Sequence, residues 1–267
     1  MKLTFLGTGG GRHVVISQLR ATGGFIVEGV QLKMHVDPGP GALVRAREFK
    51  KDLKKNNAIF VSHAHPDHYT DLEMVIEAMT LGAKKKRGTL ITSESVLNNK
   101  GSDRTIVPKY HLDVLESYHS LKPDEEIEIL GAKIKATKCK HSEEKCIGFV
   151  LTDENGEKLG YTSDGEYYPG QENYFEGCNC LIINCLRPRN TPNYGHMTSD
   201  NARTLIEKAN PNLAILQHLG MKMLFGVAER EAKWIEKETG IKTIAATDGM
   251  VIELGGKEKK ATQSKLS

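Results

Sequence analysis

The chain of 267 residues contains no apolar run that approaches the length of a transmembrane helix, which excludes a membrane-spanning helix. It has no C-x-x-C pair, and its five cysteines (Cys139, Cys146, Cys178, Cys180 and Cys185) are an odd number, so reduced and mostly buried thiols are expected. Cys178 and Cys180 stand two apart and would share a face of a strand, but no second pair accompanies them to complete a four-ligand structural zinc site. Charge of one sign is also scarce, with a net +3 overall. The runs "KKDLKK" (50–55), "KKKR" (84–87) and "KEKK" (257–260) therefore read as solvated surface, and nucleic-acid binding is not supported by the net charge. No basic-then-apolar leader opens the chain, because "MKLTFLGTGGG" runs straight from a strand pattern into a glycine loop. A cytoplasmic location is the expectation.

What is present is an ordinary soluble composition, 39% hydrophobic and 27% charged. The length suits one large domain or two small ones. Strand-like segments fall at 2–6, 24–28, 31–36, 58–61, 88–92, 127–137, 147–152, 157–161, 179–185, 212–216, 243–246 and 250–254. Helical patterns occupy "PGALVRAREF", "TDLEMVIEAMTLGA", "TSDNARTLIEKA" and "AEREAKWIEKETG". In the second, Leu72, Val75, Ile76 and Met79 form an apolar stripe at helical spacing, and Thr198 or Ser199 can cap the third. A meander of strands with interspersed helices, loosely repeated in each half, predicts two sheets with helices outside them. The expected domain covers residues 1–254, followed by a polar, loose tail at 255–267.

The densest chemistry lies in "VSHAHPDHYTD" (61–71). His63, His65, Asp67 and His68 crowd around Pro66, between a buried-strand pattern ("AIFV") and a helical one. If residues 61–65 are extended, His63 and His65 point the same way, whereas Asp67 and His68 sit at a turn and project differently. Ligands that diverge in this way suit two adjacent metals. Each zinc-like ion takes about four ligands, and three more candidates stand where strands should end: His141, Asp164 and His218. His13 is placed to line the same pocket. His35, His111 and His119 read as structural or surface residues.

"HAHPDH" resembles the H-x-H-x-D-H signature of the metallo-β-lactamase superfamily. The downstream His141, Asp164 and His218 occur in that family's order, and "LGTGGG" and "VDPG" (36–39) are similar to its opening strands. The resemblance spans essentially the whole chain. It implies an α/β fold, the four-layer αββα sandwich of two mixed sheets with helices outside, with two divalent metal ions at the sheet edge. These would be zinc, with manganese or iron as alternatives for the same donor set. By the same resemblance His63, His65 and His141 hold one metal, Asp67, His68 and His218 hold the other, and Asp164 bridges them. "GTGGG" matches neither the P-loop nor the dinucleotide fingerprint, and is expected to be a turn beside the metals.

Two such ions can share a water, lower its pKa and leave a hydroxide at neutral pH. That chemistry serves lactams, thioesters and phosphodiesters alike. A further segment, "GHMTSDNARTLIEKA", is similar to the G-H-S-T segment of the phosphodiesterase branch, which includes ribonuclease Z and cyclic phosphate phosphodiesterases. The resemblance gives His196 the role of protonating a leaving oxygen or holding the phosphate, with Thr198 beside it and Met197 in place of the branch's serine. Asp67 joins His196 as a catalytic candidate. Only 22 residues separate His141 from Asp164, and a hairpin with an "ENGE" turn consumes them, so the substrate-gripping arm of ribonuclease Z has no room. The span from 164 to 218 likewise excludes a large inserted nuclease cap. The expected activity is metal-dependent hydrolysis of a small or nucleotide-like phosphodiester. The alternatives are a carboxylic ester, thioester or lactam hydrolase, or a ribonuclease Z-like endonuclease without the arm. No membrane partner is expected, and a homo-oligomer is compatible with the sequence.

Overall fold

The computed structural model describes residues 1–98 and 106–255, so all but the first residue of the expected tail lies outside the described residues. The first half of the chain runs β1 (Lys2–Phe5), α1 (Arg12–Ser17), β2 (Phe25–Glu28), β3 (Lys33–Val36), α2 (Ala42–Glu48), β4 (Ala58–Val61), α3 (Pro66–Tyr69), α4 (Leu72–Met79), β5 (Thr89–Ser93), α5 (Glu94–Leu97), α6 (Lys109–Asp113) and β6 (Ser117–Leu121). The second half runs β7 (Glu126–Ile129), β8 (Ala132–Lys138), β9 (Ile147–Thr152), β10 (Lys158–Tyr161), α7 (Glu172–Phe175), β11 (Cys180–Arg187), β12 (Met197–Thr198), α8 (Ser199–Ala209), β13 (Leu213–Gln217), α9 (Val227–Thr239), β14 (Thr243–Ala245) and β15 (Val251–Glu253). One sheet has the order β15-β1-β2-β3-β4-β5-β6. The other has β14-β13-β11-β10-β9-β8-β7, with β12 beside β11. Both mix parallel and antiparallel pairs.

The burial pattern explains the layers. All four residues of β4 are buried, because both faces of its sheet are covered. Ala58 and Phe60 face the layer between the sheets, together with Phe149 and Tyr161 of the second sheet. Ile59 and Val61 face Leu72, Val75 and Ile76 of α4. Across the inner layer Phe60 and Phe149 meet edge-on at 4.8 Å, a favourable aromatic geometry. On the far side, Leu181 and Ile183 of β11 pack against Leu205 and Ile206 of α8 and Ile235 of α9. Helix, sheet, sheet and helix make four layers.

Several sequence expectations need correction. Segment 127–137 is two strands, β7 and β8, with Leu130 and Gly131 both at positive φ between them. Such a pair suits a two-residue hairpin turn that matches strand twist. Cys178 and Cys180 do not share a face, since Cys178 precedes β11 and packs under the outer helices while Cys180 points into the inner layer. All five cysteines are free and buried. Strand β6 and the short helices α1, α5 and α6 had no counterpart in the sequence pattern. No described helix is long and apolar enough to cross a membrane.

His35 on β3 is fully buried, with its Nε2 2.8 Å from the Gly23 carbonyl oxygen. Burial pulls its pKa from near 6.5 down to about 4. Between those values the unfolded chain takes up a proton that the folded chain refuses, so stability falls as pH drops. The loss attributable to this ring should reach about 3 kcal/mol by pH ~4. His35→Gln keeps a donor for Gly23, so its denaturation midpoint should depend less on acid than the wild type's over that window. Parallel curves for the two proteins would refute the assignment.

Candidate metal centre

Loops at one end of both sheets converge on a single cluster. His63 and His65 follow β4, and Pro66 occupies the first turn of α3, where its fixed φ and missing N–H cost nothing. That short helix turns Asp67 and His68 away from the first pair. From the other sheet come His141 after β8, Asp164 after β10 and His218 after β13. Gly195 and His196 approach on the loop before β12.

In the first group His65 Nδ1 lies 2.9 Å from His63 Nε2 and 3.2 Å from His141 Nε2. His141 Nδ1 donates to the Gly195 carbonyl oxygen at 2.7 Å, which leaves Nε2 with a lone pair. His63 Nδ1 is occupied by Ser62 Oγ at 3.0 Å. In the second group His218 Nε2 lies 3.3 Å from Asp67 Oδ2, and His68 Nε2 lies 3.8 Å from the same oxygen. Asp164 stands between them, with Oδ2 3.5 Å from His68 Nε2 and Oδ1 3.5 Å from His218 Nε2. Its Oδ1 also accepts from Asn184 Nδ2 at 2.7 Å. All seven residues proposed from the sequence are therefore brought together.

The arrangement fits a divalent metal. Ligand atoms about 3.3 Å apart are what zinc–nitrogen bonds of 2.0–2.1 Å in a tetrahedron require, and the first group already has nearly that spacing. His68 Nε2 is buried and makes no hydrogen bond, although it faces two carboxylates. Two sets of three donor residues within reach of one ion, His63–His65–His141 and Asp67–His68–His218, divide the cluster as the signature suggests. Two further sets, His63–His68–Asp164 and His141–Asp164–His196, both run through Asp164.

Charges balance within the cluster. Burial opposes ionisation of Asp164, but His218, His68 and His196 outweigh it and hold the carboxyl well below its usual range. Burial likewise disfavours charge on His68, yet Asp164, Asp67 and Asp37 push that imidazole well above its ordinary value. Asp67 is lowered despite burial, chiefly by His68 and His218.

The outer partners were not anticipated. Asp37, one residue past β3, accepts from Ser62 N at 2.7 Å, Ser62 Oγ at 2.8 Å, His68 Nδ1 at 2.9 Å and the Tyr161 hydroxyl at 2.6 Å. It sets the His68 ring and tautomer, as carboxylates behind metal-binding imidazoles do. Its only sequence signal is its position in "VDPG". Asp248 pins the glycine loop by accepting from Thr8 N, Thr8 Oγ1 and Ala21 N at 2.9, 2.7 and 2.8 Å. Asp37, Ser163 and His218 all have φ between 50° and 56°, a region that non-glycine residues enter at a cost. That strain is concentrated where strands hand residues to the cluster.

The glycine loop is the expected turn beside the site. A Cβ on Gly10 would meet His218 Nδ1 at 2.2 Å, so only glycine lets the loop pass behind that ring. Gly10→Ala should displace His218 and lower the cluster's affinity for a divalent metal by at least about 10-fold, on the scale of outer-shell losses. Chelator competition would measure it, and unchanged affinity would count against the assignment.

His196 joins the cluster at its edge. Its ring stacks on His218 with centroids 5.8 Å apart, and its Nδ1 is 3.6 Å from Asp164 Oδ2. Burial pulls its pKa down to about 4. Glu166 holds the loop by accepting from Gly195 N at 2.7 Å. Thr198, rather than Ser199, is the cap expected at the start of α8. Buried, it caps α8 in a reciprocal capping box with Asn201. His13 is exposed on α1 and outside the cluster, His111 is buried against Glu73 and Glu77, and His119 is half-buried on β6.

Comparison with known proteins agrees with this geometry. A family model described as a beta-lactamase superfamily domain matches residues 33–219. An uncharacterized protein of Methanocaldococcus jannaschii is 44% identical over 262 residues, covering 97% of each chain. Ribonuclease Z of Methanopyrus kandleri is 25% identical over 289 residues, covering 94% of this chain and 97% of its own. Among solved structures, the metallo-beta-lactamase fold protein YhfI from Bacillus subtilis superposes with a TM-score of 0.76 at 21% identity, covering 94% of this chain and 98% of that one. A diphosphatase from the PhnP family gives 0.71 at 21% identity, with 94% and 97% covered. By its fold, its clustered ligand residues and these matches, the chain belongs to the metallo-β-lactamase superfamily of metal-dependent hydrolases.

Proposed function

We propose that the protein is a binuclear metal-dependent phosphodiesterase acting on a small or nucleotide-like phosphodiester. His63, His65 and His141 would hold one ion, Asp67, His68 and His218 the other, and Asp164 both. Zinc suits this nitrogen and carboxylate set, which manganese or iron also accept. Bound ions of this kind supply Lewis acidity and an activated water at neutral pH.

The observation that carries the choice of phosphodiester is His196. An alkoxide leaving from phosphorus needs a proton, and an imidazole at the edge of the cluster is suited to give it. Asp164 beside its Nδ1 and the Glu166-anchored loop favour one ring position. An anionic substrate would bring further negative charge to a ring that burial otherwise keeps neutral. Two of the similar proteins, a ribonuclease and a diphosphatase by name, support chemistry at phosphorus. The five free thiols favour a reducing, cytoplasmic setting.

The test combines elemental analysis with a panel of bis-p-nitrophenyl phosphate, a thioester and a lactam. Two ions per chain and chelator-sensitive turnover of the phosphodiester alone are expected. One ion or none in metal-supplied protein would refute the binuclear reading. Turnover of the thioester or lactam without the phosphodiester would replace the activity with the carboxylic hydrolase alternative.

A further inference from the structure

The hairpin that carries His141 has a cysteine on each side of its tip. Strands β8 and β9 pair in a register that ends with Lys138 opposite Ile147, and Cys139 and Cys146 are the next residue on each side, where the loop begins and the Cys146 N–H turns to the Glu143 carbonyl oxygen. Both thiols lie over the end of β10, Cys139 Sγ donating to the Thr162 carbonyl oxygen at 3.2 Å and Cys146 Sγ standing 3.4 Å from Ser163 Oγ. Residues directly opposed on antiparallel strands have Cα atoms roughly 4.5–5.5 Å apart, inside the span of about 4.4–6.8 Å that a disulfide bridges. Cys139 is 8% exposed and Cys146 2%, so a small reagent reaches Cys139 first. Cys178 and Cys180 face different layers, and Cys185 lies near Ser199 Oγ and the Arg187 carbonyl oxygen.

We propose that Cys139 and Cys146 are an oxidation site, at which a hydroperoxide converts the paired thiols into a disulfide that closes the loop carrying His141. The Cys139 sulfur attacks the peroxide, the O–O bond breaks, and sulfenic acid forms with release of water or an alcohol. The Cys146 sulfur then attacks that sulfur, an S–S bond forms, and the hydroxyl leaves as water with the thiol proton. Two thiols are oxidised and one peroxide is reduced. The new bond ties together the residues that flank 140–145, including the ligand residue His141. A dithiol reverses it by exchange.

Metal-loaded, reduced protein is treated with one equivalent of hydrogen peroxide, capped with an alkylating agent and digested with trypsin. Cleavage after Lys138, Lys140, Lys145 and Lys158 isolates the two cysteines in separate peptides, 139–140 and 146–158. The expected product is those two peptides joined, lighter by two hydrogens, and separated by dithiothreitol. Amide hydrogen exchange across 141–145 should slow several-fold in the linked protein. Cys139→Ala and Cys146→Ala should give no linked peptide. In Cys146→Ala the remaining Cys139 should proceed to sulfinic acid with excess peroxide, for want of a resolving thiol. Oxidation falling first on Cys178, Cys180 or Cys185 would overturn the proposal, and unchanged exchange in the linked protein would overturn the closure of the loop. Neither readout depends on phosphodiesterase activity.

Discussion

Asp164→Ala is expected to lower turnover by more than about 10²-fold, beyond the upper end of what losing an outer partner of a metal ligand costs, while the fold survives. Asp164 is buried, and its two oxygens face His68, His196 and His218 while Asn184 steadies one of them. Under the proposed assignment its carboxylate is the anion that two neighbouring cations share, so its loss leaves them repelling at a buried site. Metal content should therefore fall along with turnover. Circular dichroism and a calorimetric melt would separate this from unfolding. Unchanged turnover in a metal-replete sample would show that another group bridges.

His196→Ala should lower turnover by roughly 10²- to 10⁴-fold, the usual contribution of a general acid, but only for substrates whose leaving group needs a proton. A p-nitrophenolate ester leaves without one and should lose much less than an alkyl ester. Metal content should stay the same, because seven other residues fill the proposed ligand set. The comparison requires two phosphodiesters that differ only in leaving-group pKa. Equal losses on both would remove the proton-donor role and leave His196 as a wall of the site, packed on His218.

What was legible in the sequence followed from short-range geometry. His63, His65, Asp67 and His68 lie within one strand-to-helix junction, so their convergence needed no knowledge of the fold. Asp164 and His218 could be placed because each follows an apolar strand pattern, and strand ends are where a sheet releases polar residues. The hidden part depended on contacts between distant segments. Asp37 looks like a turn residue until folding brings Ser62, His68 and Tyr161 to its oxygens, and Asp248 gives no sign that it holds a loop some 240 positions earlier. Thr198 as a cap was legible from its place before a helical pattern, since a hydroxyl there can meet the free N–H groups of the first turn. The alternation of 127–137 survives the turn and reads as one strand, and Gly131 is the residue that marks the break.

The candidate ligands are divided between the sheets, His63, His65, Asp67 and His68 on one and His141, Asp164 and His218 on the other. Neither half alone can offer either of the proposed ions its full set of donors. Ion capture and the docking of one half on the other are thus a single equilibrium, and free metal acts as a ligand of the native state that the separated halves bind poorly. Raising free metal to 100 times its dissociation constant should add about 2.7 kcal/mol to global stability for each ion bound. A chelator should then behave as a denaturant, lowering the melting temperature of both sheets together rather than loosening a surface loop.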